Sequence, residues 1–136
     1  MSNNTLLAGK TLLLVDDRPE NLLSLEALLE GSGARLQKAS SGNEALQYLL
    51  RHADTTSCVL MDVQMPEMSG FEAAALLQQL PATARVPVLF VTAREAGVGQ
   101  VDAPFAALLT QPVFLHKPFS ADGLWAALQK VLAQKA

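Results

Sequence analysis

Five short apolar runs alternate with segments of helical spacing, and this alternation constrains the fold more than any other feature of the chain. "TLLLV" at 11–15, "CVLM" at 58–61, "VPVLFVTA" at 86–93 and "PVFLH" at 112–116 are near-continuous apolar runs, the pattern of strands covered on both faces. "ARLQKAS" at 34–40 is more polar and suits a position nearer a sheet edge. The intervening helices are equally legible. Leu22, Leu25 and Leu29 make one stripe, entered near Pro19 and stopped by Gly31 and Gly33. Ser41 and Glu44 stand in capping-box spacing ahead of Ala45, Leu46, Leu49 and Leu50, and Ser69 and Glu72 repeat that spacing before a helix ending at Pro81. "VDAPFAALL" at 101–109 reads as a short, interrupted helix, and the last helix sets Leu124, Leu128, Val131 and Leu132 on one face. The implied fold class is α/β: a doubly wound, five-stranded parallel sheet with five helices and right-handed crossovers.

The 136 residues suit a single domain, residues 1–136 with a core from about 10 to 134, and nothing reads as an interdomain linker. Half the residues are apolar, enough for a core. Ten Lys and Arg against thirteen Asp and Glu give a net charge of −3, with no basic stripe for nucleic-acid phosphates. The N-terminal "MSNNTLLAGK" lacks the layout of a secretory signal, and no apolar run is long enough to span a bilayer. The one cysteine, Cys58, falls in a strand and reads as a small buried hydrophobe, so a reducing cytoplasm is the expected location. His52 and His116 have no metal-ligand partners at suitable spacing, and Met61, Met65 and Met68 read as packing and turn residues.

The chemistry lies where the apolar runs stop. Asp16 and Asp17 follow the first strand, Asp62 the third, Thr92 the fourth and Lys117 the fifth. In a parallel sheet these carboxyl ends share one edge, and ligands bind there at the reversal of strand order. With the order 2-1-3-4-5, the reversal falls between the strands that carry the three acids. Three carboxylates held together repel, so one stays protonated unless a cation offsets them. Mg²⁺ suits a site with few carboxylates, several waters and a phosphate oxygen. With the Lys117 ammonium and the Thr92 hydroxyl nearby, Asp62 reads as a carboxylate nucleophile for a phosphoryl group. The plainer roles are helix capping for Asp16 and Asp17, and a turn or loop charge for Asp62 and Lys117. The convergence of the five residues favours the phosphoryl site.

"LLVDD", "VLMDVQMPEMSGFE", "VTA" and "HKPF" resemble, in order, the signature segments of the response-regulator receiver domain of two-component signalling, over nearly the whole chain from about Lys10. The resemblance implies the CheY-like, flavodoxin-like version of the fold. It implies that Asp62 accepts phosphoryl from a histidine kinase or phosphotransfer protein. Asp17 would ligate Mg²⁺ directly, Asp16 mainly through water, and Gln64 through its backbone carbonyl. Thr92 would bond a phosphoryl oxygen, and Lys117 would pair with the phosphate. Phe114 matches the aromatic that turns inward as Thr92 moves, although an aromatic in a last strand is more often plain core. Gln64 and Arg94 match the positions that tune phosphoryl lifetime, and the Lys117–Pro118 peptide would be cis.

The resemblance also implies a phosphoacceptor that assists its own phosphorylation and dephosphorylation, rather than an enzyme acting on other substrates. Its output, to a partner protein or output domain, would run through the face of the fourth helix, fifth strand and fifth helix, a possible homodimer surface. Val101, Phe105 and Trp125 are the positions to watch there. "DDRPENLL" resembles receivers of hybrid histidine kinases and multidomain regulators, and the fifth helix leaves no sequence for an output domain; a single-domain regulator is the other origin. Thr110, Gln111, Pro112 and Val113 replace the Gly-Ala-Asp-Asp run of many relatives, and the segment from Thr92 to Lys117 is a few residues long. Phe105, Leu108 and Leu109 are then either core of a shifted helix, the favoured reading, or an exposed docking patch. Two other functions compete. A haloacid-dehalogenase-like phosphatase also uses a strand-end Asp with Mg²⁺, but needs a second Asp where Gln64 stands. A binding scaffold would need none of the five site residues.

Overall fold

The computed structural model describes residues 7–92, 113–117 and 119–133. The chain runs β1 (Thr11–Val15), α1 (Pro19–Leu29), β2 (Arg35–Ala39), α2 (Gly42–His52), a 3₁₀ turn (Ala53–Thr55), β3 (Cys58–Asp62), α3 (Gly70–Gln79), β4 (Val88–Thr92), β5 (Val113–His116) and α4 (Ala121–Ala133). The strands form one sheet in the order β2-β1-β3-β4-β5, with all four neighbouring pairs parallel. Sheet, order and class agree with the reading from sequence. Four of the five expected α-helices fall among the described residues. The expected helix at 101–109 lies outside them, as do Arg94, Val101, Phe105 and Pro118 with its cis peptide.

Alternation along the strands divides the core in two. Leu12, Leu14, Leu60, Leu89, Val91 and Leu115 face α1 and α4, meeting Leu22, Leu25, Leu29, Leu124, Leu128 and Val131. Leu13, Val15, Val59, Met61 and Phe90 face α2 and α3, meeting Ala45, Leu49, Phe71, Ala73, Ala74 and Leu77. β3 is central and all five of its residues are buried, whereas only Ala39 of the edge strand β2 is buried. Cys58 is buried, as expected of a small hydrophobe.

Ser41 Oγ accepts the Glu44 N–H at 3.0 Å and Ser69 Oγ accepts the Glu72 N–H at 3.1 Å, so both expected caps form. The Glu44 carboxylate reaches back one residue further than the simple box, to the N–H and hydroxyl of Ser40. α1 ends before Gly31, whose φ of +82° suits glycine. The Thr83 hydroxyl donates to the Leu77 carbonyl at 2.6 Å, closing α3 ahead of β4.

Of the apolar residues of α2 named from the sequence, Leu50 does not join the core and is 55% exposed. At about 100° per residue it lies some 140° from Ala45, past the edge of the stripe that Ala45 and Leu49 define. No helix among the described residues is long and apolar enough to cross a membrane. Burial therefore sets opposite expectations for two leucines. Leu60→Ala should cost about 3 kcal/mol in urea unfolding, and Leu50→Ser should stay within about 0.5 kcal/mol of wild type. Equal losses for both would contradict this division of the core.

Candidate phosphoryl and metal site

Parallel topology delivers the polar strand ends to one edge. β1 and β3 are neighbours on either side of the order reversal. The residues that follow or end them, Asp16, Asp17 and Asp62, place a carboxylate oxygen each within 4.8 Å of one another. Asp16 and Asp62 are buried and Asp17 is partly exposed. Two of the three acids are therefore withdrawn from solvent, unlike a solvated acidic surface.

Backbone bonds hold the strand ends in place. The Asp16 N–H donates to the Ala39 carbonyl at 3.1 Å, extending the β1–β2 ladder by one residue. The Val63 N–H donates to the Val91 carbonyl at 3.2 Å, which fixes the chain just beyond Asp62. On the far side, the Lys117 N–H donates to the Thr92 carbonyl at 2.8 Å. That bond brings the buried Thr92 and the root of Lys117 together at the same edge.

Lys117 Nζ lies 3.5 Å from Asp16 Oδ2 and 3.8 Å from Asp62 Oδ1. The ammonium is shared between two acids, and among the described residues one positive charge faces three carboxylates. Burial, followed by the Asp16 charge, raises the pKa of Asp62 from its ordinary 3.8 to about 6; Lys117 and the Gln64 backbone N–H pull it down, and Asp17 pushes it up. The shortage of positive charge is what a hard divalent cation would relieve, and an all-oxygen donor set suits Mg²⁺. The described residues thus fit such an ion: Asp16, Asp17 and Asp62 are candidate ligands.

The capping role considered for Asp16 is also partly present. Its Oδ1 accepts the Arg18 N–H at 3.0 Å, steadying the turn into α1. Arg18 itself is the N-cap and makes no side-chain cap bond. Asp16 therefore braces a helix entry with one oxygen and faces Lys117 with the other. His52 and His116 are exposed, Met61 and Met65 are buried, and Met68 is half-buried against the α2–α3 core.

Phe114 is half-buried and packs inward. Its ring stacks on Phe90 at 5.5 Å and meets Phe71 edge-on at 6.0 Å. Phe71 and Phe90 went unremarked as partners because neither sits at a strand end. The β4–β5 register, which pairs Phe90 with Phe114, is the signal that could have found Phe90, whereas Phe71 comes from α3. Gln64 leaves its side chain exposed while its N–H serves the Asp62 carboxylate. Glu67, in the turn after β3, takes a φ of +69°, a backbone region that costs a side-chain-bearing residue about 1 kcal/mol.

Residues 12–129 match the family model for the response regulator receiver domain. Among curated proteins, the chain is 35% identical over 114 residues to the signal transduction histidine-protein kinase BarA of Escherichia coli K12, covering 84% of this chain and 12% of that protein. It is 30% identical over 122 residues to the protein PilH of Pseudomonas aeruginosa, covering 90% of this chain and 97% of PilH. Among solved structures, the receiver domain of the P. aeruginosa sensor histidine kinase PA1611 superposes with a TM-score of 0.78 at 28% identity, covering 93% of this chain and 99% of that one. That crystal holds a magnesium ion coordinated in its active-site cleft. The Vibrio cholerae chemotaxis protein CheY4 superposes with a TM-score of 0.77 at 26% identity, covering 91% and 99%.

The raised Asp62 pKa sets the sign of a pH effect. Folded Asp62 holds its proton more tightly than the unfolded chain does, so stability is highest below about pH 4 for this group and is lost as pH rises through about 6. Asparagine carries no such penalty. In EDTA, Asp62→Asn should be more stable than wild type at about pH 8, by up to ~3 kcal/mol, and nearly equal to it at about pH 4. Urea titrations at the two pH values test this; a variant no more stable than wild type at the higher pH would refute the electrostatic account.

Proposed function

The chain belongs to the response regulator receiver domain family, and on that premise we propose that it is a phosphoacceptor whose Asp62 carboxylate takes a phosphoryl group from a phosphohistidine donor. The supporting observation is the convergence of Asp16, Asp17 and Asp62 within 4.8 Å, with the Lys117 ammonium at 3.5 and 3.8 Å from two of them.

In this reading an Asp62 carboxylate oxygen attacks phosphorus, the phosphorus–nitrogen bond breaks, and the donor imidazole departs with the bonding electrons. The product on this chain is an acyl phosphate. Lys117 would leave its ion pairs to meet a phosphoryl oxygen, and the Thr92 hydroxyl would donate to another. Asp17, Asp62 and the Gln64 backbone carbonyl would hold Mg²⁺, with Asp16 acting through water, and the ion would offset negative charge on the phosphoryl oxygens. Gln64 and Arg94 are the proposed determinants of phosphoryl lifetime.

Transfer would bias a two-state equilibrium through Thr92 and Phe114, changing the surface that a partner or output domain meets around β5 and α4. Residues 10–134 would act as one receiver domain. The chain spans only 12% of BarA, so the identities of its donor and output belong to this proposal and not to the similarity. The phosphatase alternative is disfavoured by Gln64: its amide cannot serve as the second acid, and it is exposed.

Intact-mass measurement after incubation with acetyl phosphate and Mg²⁺ tests the reading. Wild type should gain one phosphoryl group, and Asp62→Asn should gain none. Lys117→Ala should slow labelling by about 100-fold, the typical loss on removing one stabilising charge. An unlabelled wild type, or sustained turnover of an aryl phosphate, would overturn the assignment.

A further inference from the structure

We infer that Gly70 is a positioning residue for the phosphoacceptor: its missing side chain lets the first turn of α3 seat directly on the backbone of Asp62 and fix where that carboxylate points. The inference rests on the reading of Asp62 as the acceptor.

A Cβ built on Gly70 would collide with the Asp62 carbonyl oxygen, and would also lie 2.9 Å from Met61 Cγ and 3.0 Å from the Val63 Cα. Real Cβ atoms essentially never come within 3.0 Å of such neighbours. Two of the three obstacles are backbone atoms at the end of the central strand, and these cannot swing aside as a side chain would. Backbone freedom is not the reason for glycine here. Gly70 lies in α3 and is not among the positive-φ glycines of the described residues, which are Gly9, Gly31 and Gly33. What the position demands is space.

The contact reaches the acid through a short chain of bonds. The Gly70 N–H donates to the Val63 carbonyl at 2.8 Å, while the Val63 N–H is held by the Val91 carbonyl at 3.2 Å. Val63 is thus anchored on both sides, by β4 and by α3. Asp62 precedes it directly, and the Gln64 N–H on its other side serves the Asp62 carboxylate. The cap from Ser69 Oγ to the Glu72 N–H fixes the helix start that bears Gly70. A methyl at residue 70 must therefore lift α3 or push the Asp62 carbonyl, on the order of half an ångström, and near-attack geometry tolerates little of that.

Gly42 is the natural control. It is also buried at a helix start, but a Cβ there would meet the Sδ of Met68 at 3.0 Å and its Cγ at 3.2 Å, the far end of a flexible side chain. A methyl at Gly42 disturbs packing between α2 and the turn after β3 without pressing on Asp62.

The test compares full-length wild type, Gly70→Ala and Gly42→Ala, labelled with acetyl phosphate at saturating Mg²⁺ and at a temperature where urea titration shows each to be folded. Gly70→Ala should label at least about 10-fold more slowly, and Gly42→Ala should stay within about two-fold of wild type. A residue that mattered only for stability would lower the unfolding midpoint and leave the folded protein's rate unchanged. Should Gly70→Ala not fold, amide exchange in wild type replaces it: Mg²⁺ with beryllofluoride should slow exchange of the Gly70 N–H by at least about 10-fold while leaving Leu49 unchanged. Normal labelling of Gly70→Ala, or an unmoved Gly70 exchange rate, would overturn this inference alone. An unlabelled wild type would overturn the acceptor reading together with it.

Discussion

Three carboxylates crowded against one ammonium are the constraint around which the carboxyl edge of this sheet is built. At 4.8 Å and an effective dielectric near 20, each like-charged pair repels by about 3 kcal/mol. A loose loop would relax by swinging the acids apart. Here they cannot separate freely, because Asp16 is tied into the β1–β2 ladder and Asp62 closes a strand buried along its whole length. The two core layers on either side of the sheet supply the rigidity. Burial, followed by the neighbouring Asp16 charge, makes Asp62 hold its proton unusually tightly, and the charge imbalance leaves Lys117 divided between two acids. In the proposed function such a site would take a cation and a phosphoryl group, whose oxygens would take over Lys117.

The parallel sheet was legible in the sequence because strands covered on both faces must be apolar throughout, and polar residues are admitted only where such a strand ends. Asp62 and Thr92 stood out for that reason. β2 was recognisable as an edge strand from its Arg, Gln and Lys, since an edge needs less burial. The exposure of Leu50 was less legible, because an apolar residue next to a stripe looks like part of it when read along a line, whereas its angle around the helix decides burial. The sharing of Lys117 between Asp16 and Asp62 was not legible at all. It depends on the Lys117 N–H meeting the Thr92 carbonyl, a contact between segments far apart in the chain.

Gly70 and the aromatic layer were illegible for a related reason: each matters through what approaches it, not through its own chemistry. The two features are adjacent. Gly70 touches the backbone of Asp62, and the next residue, Phe71, lies edge-on to both Phe90 and Phe114. Phe90 precedes Thr92 by two residues on the same strand, so their side chains share a face of the sheet. The first turn of α3 is thus in contact with the acid at one residue and with the inward-packed Phe114 at the next. Close-packed interiors move between discrete arrangements and do not deform smoothly. A displacement at the Asp62 carbonyl large enough to shift that turn must therefore also be accommodated by the rings beneath it. Phe114, half-buried at the sheet edge, is the ring with room to respond.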